Sequence, residues 1–411
     1  DDGRSLSTLF SEPFLDLRHL SADTDNLTQN RHTFGNLNYT GTLDSLGSTL
    51  TADIDYREMG RDSDGLLTSF RWIDQDESGQ TRERILDESE MRYSVFTANV
   101  EYLHQFSNGS RLESGLKWSQ VDSDNDLLSW FSEADEPYQL GASSNHFIYS
   151  ERIQSAFTSL TLSPLERLQA TAGLRAEWTH LRSHSVTLDE IHRQRYLDLF
   201  PSLYLTYRFS DRYQMATNAS RRINRPSYHL LNPFVFYIDP LTVSRGNPYL
   251  KPQYTVNTEW AHILDDRYRL TLSYSRTTND FRQVISVDDE TQIMAVQNQN
   301  LDRSEQYSLQ LLLPVDITRW YSATFNGQLR RDEFRSQLND AHLNQGMTAL
   351  YLQSRHEITL PEAFRLEMSA SYASPHRSGM FQISGSAWVD AGISKSFLNG
   401  AVQTSLNVND L

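Results

Sequence analysis

The sequence predicts an all-β fold, namely a transmembrane antiparallel β-barrel with about 16 strands in this chain. Apolar and polar residues alternate with a period of two along most of the 411 residues. Short turns alternate with longer polar stretches, and there is no run of about eighteen apolar residues, as a membrane helix would need. A barrel strand spans with roughly 9–11 residues, of which every second one faces lipid. The low mean hydropathy is therefore compatible with a membrane protein.

The alternation is clear in the segment "SLYLTYRF", where Leu203 and Leu205 point one way and Tyr204 and Thr206 the other. The segments "YRLTLSYS" and "LQATAGLRAEW" repeat this pattern. Aromatic residues begin or end many of the apolar faces, as expected for girdles at the two membrane interfaces. The opposite face carries Arg, Glu, Gln and Ser, which a wide barrel can hold against a wet lumen.

Short turns recur along the chain and predict hairpins. They are "LDSLGS", "SNGS", "SPLER", "SDR", "LDDR", "PVDITR", "LPEA" and "FLNG". Between them lie polar stretches such as residues 60–90, which we interpret as long outer loops. Short turns at one rim and long loops at the other are typical of outer-membrane barrels. No linker or low-complexity tract interrupts the pattern, so residues 1–411 are predicted to form one barrel domain.

Composition excludes several other classes of protein. The net charge of −16 argues against nucleic-acid binding, which needs a basic face. The absence of cysteine excludes disulfides, thiolate metal sites and cysteine nucleophiles. No nucleophile elbow, zinc-protease motif, phosphate loop or dinucleotide fingerprint occurs. The sequence therefore predicts a protein that is not an enzyme.

Residues 220–252 interrupt the alternation with a segment rich in proline, arginine and aromatic residues. Because proline cannot donate to a ladder and fixes φ, we expect a rigid loop without ladder pairing at the outer rim. Arg225 and Pro226 form an Arg-Pro element that ends one strand, and "RGNPYLKP" announces the next strand. These elements resemble the hallmark of TonB-dependent outer-membrane receptors, and of the Bacteroidota outer-membrane β-barrel family in particular. The matching residues are Arg225, Pro226, Asn232, Pro233, Gly246, Asn247, Pro248, Leu250 and Pro252. Gln253 departs from the glutamate of the pattern.

Further stretches, "YLDLFPSLYLTYRFSD", "NLDRSEQYSLQLLLP" and "NVNDL", are also similar to this family, so the resemblance covers essentially the whole chain. It implies a barrel of about 22 strands in the intact receptor, located in the outer membrane of a Gram-negative bacterium. It also implies an N-terminal plug and coupling to a TonB-type energy transducer in the inner membrane. Neither the plug nor the terminal strands are recognisable here, so we expect a partial barrel.

The function expected from this resemblance is energised uptake of a bulky nutrient such as a siderophore, a glycan or a peptide. A structural or adhesive barrel and a passive porin remain as alternatives. Expected partners are outer-membrane lipid, lipopolysaccharide and the energy transducer, with no nucleic acid. A surface lipoprotein partner would point to glycans or peptides. No cofactor is expected apart from calcium, discussed below.

Substrate contact could come from residues of the expected outer loops. These are Tyr228, Tyr237, Asp239, Arg245, Trp130 and Trp72. Aromatic rings suit stacking on sugars or flat chelates. The alternative is that residues 220–252 serve as rim scaffolding, and that the two tryptophans pack within their loops. The arginines at 221, 222 and 225 could order the segment through carboxylates or a lipopolysaccharide phosphate.

Two acidic stretches suggest calcium loops. Asp122, Asp124, Asp126 and Glu133 occupy positions 1, 3, 5 and 12 of such a loop, but the glycine of position 6 is missing. Asp74 and Asp76 precede a glycine but have no glutamate at position 12. Both stretches are predicted to lie in outer loops, where calcium could order them. Solvated acidic loops without a metal are the alternative.

Overall fold

The structure is a computed structural model. It describes residues 3–10, 17–73, 81–134, 136–141, 143–233, 235–239, 241–288, 292–338, 341–378, 381–398 and 401–410. Most of these residues lie in β-strands. In this described part of the chain, no helix is long and apolar enough to cross a membrane.

The strands are numbered in chain order. They are β1 (Gly3–Phe10), β2 (Leu17–Thr42), β3 (Thr49–Ile73), β4 (Thr81–Gln105), β5 (Arg111–Glu133), β6 (Gln139–Leu140), β7 (Asn145–Leu165), β8 (Leu168–Ser185), β9 (Glu190–Arg208), β10 (Tyr213–Asn224), β11 (Val235–Asp239), β12 (Thr242–Arg245), β13 (Gln253–Leu264), β14 (Tyr268–Val287), β15 (Met294–Thr318), β16 (Tyr321–Leu338), β17 (Ala341–Leu360), β18 (Phe364–Ala373), β19 (His376–Ser378), β20 (Phe381–Ile383), β21 (Ser386–Phe397) and β22 (Val402–Val408). One short helix, α1 (Tyr228–Leu231), precedes β11, and a 3-10 turn (Pro361–Ala363) precedes β18.

Twenty of these strands form one sheet, and β19 and β20 form a separate hairpin. The sheet is an antiparallel meander in which each strand pairs with the next, except for three short strands. Of these three, β6 adds to β5, while β11 and β12 form a hairpin that adds to β15. Among the described residues, β1 and β22 do not pair with each other. The predicted all-β antiparallel fold is confirmed, and the sheet holds twenty strands where about sixteen were expected.

The predicted short turns connect neighbouring strands at one end of the sheet, which we name the turn rim. In the first turn, Asp44 accepts hydrogen bonds from the backbone N–H groups of Leu46 and Ser48 at 2.9 and 3.0 Å. Hydrogen bonds from Ser48 hold the pKa of Asp44 below its usual value. Gly47 and Gly109 adopt φ of 94° and 81°, which L side chains rarely adopt. Their positions explain why glycine occurs in these two turns.

Along the strands, an exposed apolar face alternates with a buried polar face. In β9, Leu197 is 68% exposed and Leu199 is 51% exposed, whereas the intervening Asp198 is only 8% exposed. In β8, Trp178 is exposed while Glu177 and Thr179 on either side of it are buried. A soluble sheet protein shows the reverse arrangement. The apolar face is therefore one that lipid covers, and the polar face lines the interior of a barrel.

Aromatic rings collect beside the turn rim, as the sequence predicts for an interfacial girdle. Tyr207 contacts Phe209 edge-on at a centroid distance of 4.7 Å, and Phe209 stacks on Tyr213 at 5.1 Å. Tyr213 in turn stacks on His262, and its hydroxyl oxygen forms a hydrogen bond with the imidazole Nδ1 at 2.8 Å. A similar arrangement joins Tyr321 to a histidine of β17. Such rings are amphipathic and suit a membrane interface.

The prediction of a long loop at residues 60–90 is wrong. Most of this stretch belongs to β3 and β4, which pair from Thr49↔Leu103 to Arg71↔Thr81. β3 has 25 residues, far more than the roughly 9–11 needed to cross a bilayer. Beyond the membrane, neither face of a strand meets lipid, so the ladder continues without apolar alternation. The sequence pattern that marks a lipid-spanning strand therefore stops before the strand does.

Candidate ligand site at the crossover rim

Residues 225–252 form the crossover segment, which joins β10 to β13. These two strands pair from Tyr213↔Leu264 to Asn224↔Gln253. Because Tyr213 and Leu264 lie at the turn rim, the crossover segment lies at the opposite end of the sheet, the crossover rim. This placement confirms the predicted position. Since outer-membrane barrels carry short turns on the periplasmic side, the crossover rim is the outer one.

The crossover segment contains regular structure, so the prediction of a loop without ladder pairing is wrong. β11 and β12 pair antiparallel, with Val235 opposite Arg245. β12 then pairs in parallel with β15, from Thr242↔Met294 to Arg245↔Gln297. Proline cannot donate to a ladder, and β12 contains none. The described prolines at 226, 233, 248 and 252 flank the hairpin and do not interrupt it.

Gly246 and Asn247 close the crossover segment on itself. The backbone N–H of Asn247 donates to the Leu230 carbonyl at 2.6 Å, and its side-chain amide donates to the Asn298 carbonyl at 3.1 Å. A Cβ added at Gly246 would lie 2.0 Å from the backbone oxygen of Asn232. The glycine is therefore required by close backbone packing, and Asn247 joins α1 to β15. These contacts give the "GNP" element a structural role.

An apolar cluster holds the crossover segment against the inner face of β7. Leu231 and Leu250 are buried with Phe147 and Tyr149 of β7. The ring of Tyr228 packs on this cluster, with centroid distances of 6.0 Å to Phe147 and 5.9 Å to Tyr149. Burial raises the pKa of the Tyr228 phenol. The structure thus places Tyr228, a predicted ligand residue, in the packing between segment and barrel.

Arg225 anchors the start of the crossover segment to charged residues of the barrel interior. Its Nη2 donates to Glu177 Oε2 at 2.8 Å and to Thr179 Oγ1 at 2.9 Å. Its Nε lies 3.7 Å from Glu151 Oε1. All three side chains of the ion pairs are mostly buried, with exposed fractions of 17% for Arg225, 9% for Glu177 and 13% for Glu151. The carboxylate partner expected for this arginine is confirmed.

Arg221 occupies a split between β9 and β10. Backbone pairing of these strands ends at Ser202↔Ser220. Beyond that point, Arg221 donates to the Leu199 carbonyl at 2.6 Å and lies 3.3 Å from an Asp198 carboxylate oxygen. Its guanidinium also covers the ring of Tyr254, 4.5 Å from the centroid. Arg221 therefore satisfies a strand carbonyl that the ladder leaves open. Arg222 is exposed and has no ion-pair partner among the described residues.

A cavity of about 600 Å³ opens beside the crossover segment. Residues from β7, β8, β9 and β15 line it together with the crossover segment itself. They are Phe147, Ser183, Ser185, Leu188, Glu190, Ile191, His192, Pro233, Val235, Arg245, Gly246, Asn247, Pro248, Tyr249 and Gln297. This volume lies within the range of small-molecule sites, roughly 300–1,000 Å³. Apolar walls with a few polar groups are typical of such sites.

Polar and ring contacts inside the cavity involve Tyr249, and Arg245 lines the same cavity. The Tyr249 hydroxyl donates to Glu190 Oε2 at 3.3 Å, and its ring contacts His192 edge-on at 5.7 Å. Arg245 is exposed, and no ion pair of its guanidinium is found in the described part of the chain. A guanidinium beside aromatic rings can bind a carboxylate or another acidic oxygen group. The cavity therefore suits a ligand that combines an anionic group with an apolar or ring surface.

The remaining predicted ligand residues lie elsewhere. Tyr237 and Asp239 belong to β11, and their side chains lie outside what the structure describes, as does that of Trp72 in β3. Trp130 is a half-buried residue of β5, opposite Leu86 of β4. The prediction that the two tryptophans lie in loops is therefore wrong. The structure brings Arg245 to the cavity and does not bring Trp130 there.

The predicted calcium loop at residues 122–133 is a regular part of β5. In an extended strand, residues i and i+2 lie about 6.6 Å apart along the strand, whereas a calcium loop must fold around the ion. Asp122 accepts hydrogen bonds from Gln120 and Ser150, both at 2.7 Å, and Asp124 pairs with His146. Asp126 and Glu133 also lie on this strand. The prediction of a loop at these residues is therefore wrong.

Asp74 and Asp76 lie outside the described residues. In the described residues, no group of three or more His, Asp or Glu side chains is arranged to hold a metal. Calcium binding itself stays a prediction.

Sequence reasoning missed several residues that build the site. Glu151, Thr179 and Glu177 were visible only as polar members of alternating strands, and Glu190 and Tyr249 had no distinguishing pattern. A usable signal exists for Glu177, because a carboxylate on the inner face of a barrel strand needs a cation. The sequence offers an arginine in the Arg-Pro element. Pairing the two requires knowing that the crossover segment folds inward.

An exposed apolar face, a buried polar face, short turns at one rim and an inward-folded crossover at the other define an outer-membrane β-barrel of Gram-negative bacteria. Comparison with protein families agrees. The chain belongs to the outer membrane protein β-barrel family, whose model matches residues 41–411. No curated protein matches the sequence.

Solved structures with the same fold include two named receptors. The siderophore receptor PiuA from Acinetobacter baumannii is 11% identical, with a TM-score of 0.56 over 100% of this chain and 74% of that one. The ferric-catecholate import receptor Fiu from Escherichia coli K12 is also 11% identical, with a TM-score of 0.54 over 96% of this chain and 70% of that one. At this identity, the likeness shows the fold alone.

Proposed function

We propose that this chain is the barrel of an outer-membrane receptor that takes up a bulky nutrient by energised, TonB-dependent import. The observation that carries the proposal is the cavity at the crossover rim, which Arg245, exposed and without an ion pair among the described residues, lines together with Tyr249 and His192. The polar inner face of the sheet offers a hydrated path below it. The names of the receptors with the same fold, a siderophore receptor and an import receptor, support the same class of function.

Capture and passage make different demands on the chain. Capture would use the crossover cavity, where Arg245 binds an acidic oxygen group and the rings of Tyr249 and His192 contact the remainder of the ligand. Passage would follow once a plug is withdrawn by the energy transducer. A siderophore, an acidic glycan or a peptide meets these demands. A surface lipoprotein could deliver a glycan or a peptide to the same rim.

Replacing Arg245 with alanine tests the capture step. A charge-assisted hydrogen bond contributes about 1.5–3 kcal/mol, so ligand affinity should fall roughly 10- to 100-fold. The measurement is binding of candidate siderophores, glycans and peptides to the purified protein, together with growth of a deletion strain on each as a limiting nutrient. Arg222→Ala is the matched control, because Arg222 is also an exposed arginine but lies outside the cavity. Equal losses in both variants would contradict the proposed site.

Energised import is tested separately from capture. Uptake of a bound ligand should stop when the proton gradient is dissipated or when the transducer gene is deleted. Steady ion conductance in planar bilayers would instead indicate a passive porin. Neither uptake nor conductance would indicate a structural or adhesive barrel.

A further inference from the structure

Four arginines and one histidine form a basic patch on neighbouring strands. Arg152 lies on β7, His180 and Arg182 on β8, and Arg193 and Arg195 on β9. The strand register sets them directly beside one another: Arg152 opposite His180, His180 opposite Arg195, and Arg182 opposite Arg193. Directly opposed residues in antiparallel strands have Cβ atoms about 4.5–5.5 Å apart. The patch is therefore a compact two-row cluster of positive charge.

The basic patch lies on the lipid-facing side of the sheet. From Ile191 to Leu203, the residues of β9 alternate in exposure, and Arg193 and Arg195 share the exposed face with Leu197 and Leu199. The first row beyond the patch, in the direction of the turn rim, pairs Trp178 with Leu197. Two residues of strand advance by about 6.6 Å. The patch thus begins one step beyond the exposed apolar rows, on the side of the crossover rim.

The chain does not neutralise this patch. Among the described residues, none of its arginines forms an ion pair. In the described part of the chain, the Arg152 guanidinium interacts with the Gln120 amide oxygen at 3.5 Å and with the Trp118 ring at 5.2 Å. Among the residues that the strand register aligns with Arg182 across the sheet, the nearest acidic one is Asp122, two strands away. Asp122 already accepts hydrogen bonds from Gln120 and Ser150.

Other arginines on the same face have acidic partners. Arg31 pairs with Asp62, Arg92 with Glu90 and Arg331 with Glu333, at 2.9, 2.6 and 2.8 Å. Like charges directly opposite one another destabilise a sheet. A chain with a net charge of −16 nevertheless places these arginines together, without an acidic partner among its described residues. Such an arrangement is stabilised when an external anion bridges the guanidinium groups.

We propose that the basic patch binds the phosphate groups of lipid A, the membrane anchor of lipopolysaccharide. Acyl chains would cover the row of Trp178 and Leu197, which places the phosphorylated sugars at the height of Arg182, Arg193 and Arg195. Guanidinium groups match phosphate oxygens in a bidentate geometry. The crossover rim faces outward, so the outer leaflet, which carries lipopolysaccharide, lies at this height. This inference does not depend on nutrient import.

The test is binding of bis-phosphorylated lipid A to the protein purified from outer membranes and stripped of lipopolysaccharide. In the variant Arg182→Gln, Arg193→Gln, Arg195→Gln, affinity should fall at least tenfold. Dephosphorylated lipid A should bind the unmodified protein as weakly as lipid A binds the variant. The control variant Arg31→Gln, Arg92→Gln, Arg331→Gln removes three paired arginines of the same face and should change affinity less than twofold.

Thermal unfolding provides a second readout that a folding defect cannot imitate. Without lipid A, the triple variant should unfold at the same or a higher temperature than the unmodified protein, because like-charge repulsion is relieved. Lipid A should raise the unfolding temperature of the unmodified protein and leave that of the variant unchanged. If the triple variant fails to fold, Arg193→Gln alone should show the same pattern. Its unfolding temperature should not be lowered in the absence of lipid A, and lipid A should not raise it. The proposal would be overturned if these variants bound lipid A with an affinity within twofold of that of the unmodified protein. It would also be overturned if millimolar inorganic phosphate displaced lipid A from the unmodified protein.

Discussion

Replacing Arg225 with methionine is expected to lower the free energy of unfolding by about 3–5 kcal/mol, because it leaves the mostly buried Glu151 without a cation and leaves Glu177 with only Arg175. Glu177 and Glu151 both face this guanidinium, and Thr179 loses its donor. The loss should begin in the crossover segment, which Arg225 ties to β8. Urea unfolding in detergent, followed by heat-modifiable gel migration and tryptophan fluorescence, measures it.

Two variants show whether the unpaired charge is the cause. Arg222→Met removes an exposed arginine three residues earlier and should change the free energy of unfolding by about 0.5 kcal/mol or less. The combined variant Arg225→Met, Glu151→Gln should recover much of the loss, since it neutralises the carboxylate left without a cation while Glu177 keeps its ion pair with Arg175. A loss in the combined variant as large as in Arg225→Met would contradict this explanation.

Replacing Gly246 with alanine is expected to destabilise the crossover segment by about 1–3 kcal/mol or more, the usual range for overpacking. The added methyl group would lie 2.0 Å from the Asn232 oxygen and 2.9 Å from the Leu230 oxygen. Both are backbone atoms, so the segment itself must move. The hydrogen bond from Asn247 to Leu230 should then lengthen. Hydrogen exchange of residues 225–252 should become faster, while exchange in β14 and β16 should stay unchanged.

Gly327→Ala is the matched control for this substitution. Gly327 lies in the interior of β16, and a Cβ there would approach only the Leu352 side chain, at 3.5 Å. That distance is an ordinary van der Waals contact, so the control should be neutral or slightly stabilising. Equal exchange rates in residues 225–252 of the Gly246→Ala variant and the unmodified protein would contradict the assigned role of Gly246.

Much of the fold could be predicted because a lipid-facing sheet has a strict period of two. The alternation around Leu203 and the turns at Gly47 and Gly109 are local properties of the chain, and local patterns can be read from sequence. Strand length could not be predicted in the same way. Outside the bilayer, neither face of β3 or β5 meets lipid, so residues 60–73 and 122–133 carry no apolar alternation although their backbones remain paired.

The site was harder to predict because it depends on contacts between distant segments. The Arg-Pro and "GNP" elements could be recognised in the sequence. What the sequence does not show is why they are needed: Arg225 pairs with the buried carboxylate of Glu177, and Gly246 leaves room for the backbone oxygen of Asn232. Both contacts exist only because the crossover segment folds inward onto Phe147. Proline content suggested a segment without a ladder, whereas the proline-free stretch of β12 pairs with β15.

The central claim is that the apolar face of the sheet faces lipid and the polar face lines the interior. The chain has no cysteine, so single cysteines can be introduced one at a time along β9 and spin-labelled in liposomes. Labels at positions 197, 199 and 203 should be accessible to oxygen dissolved in the bilayer. Labels at 198, 200 and 202 should be shielded from it. The opposite phase, or no alternation with a period of two, would contradict the account.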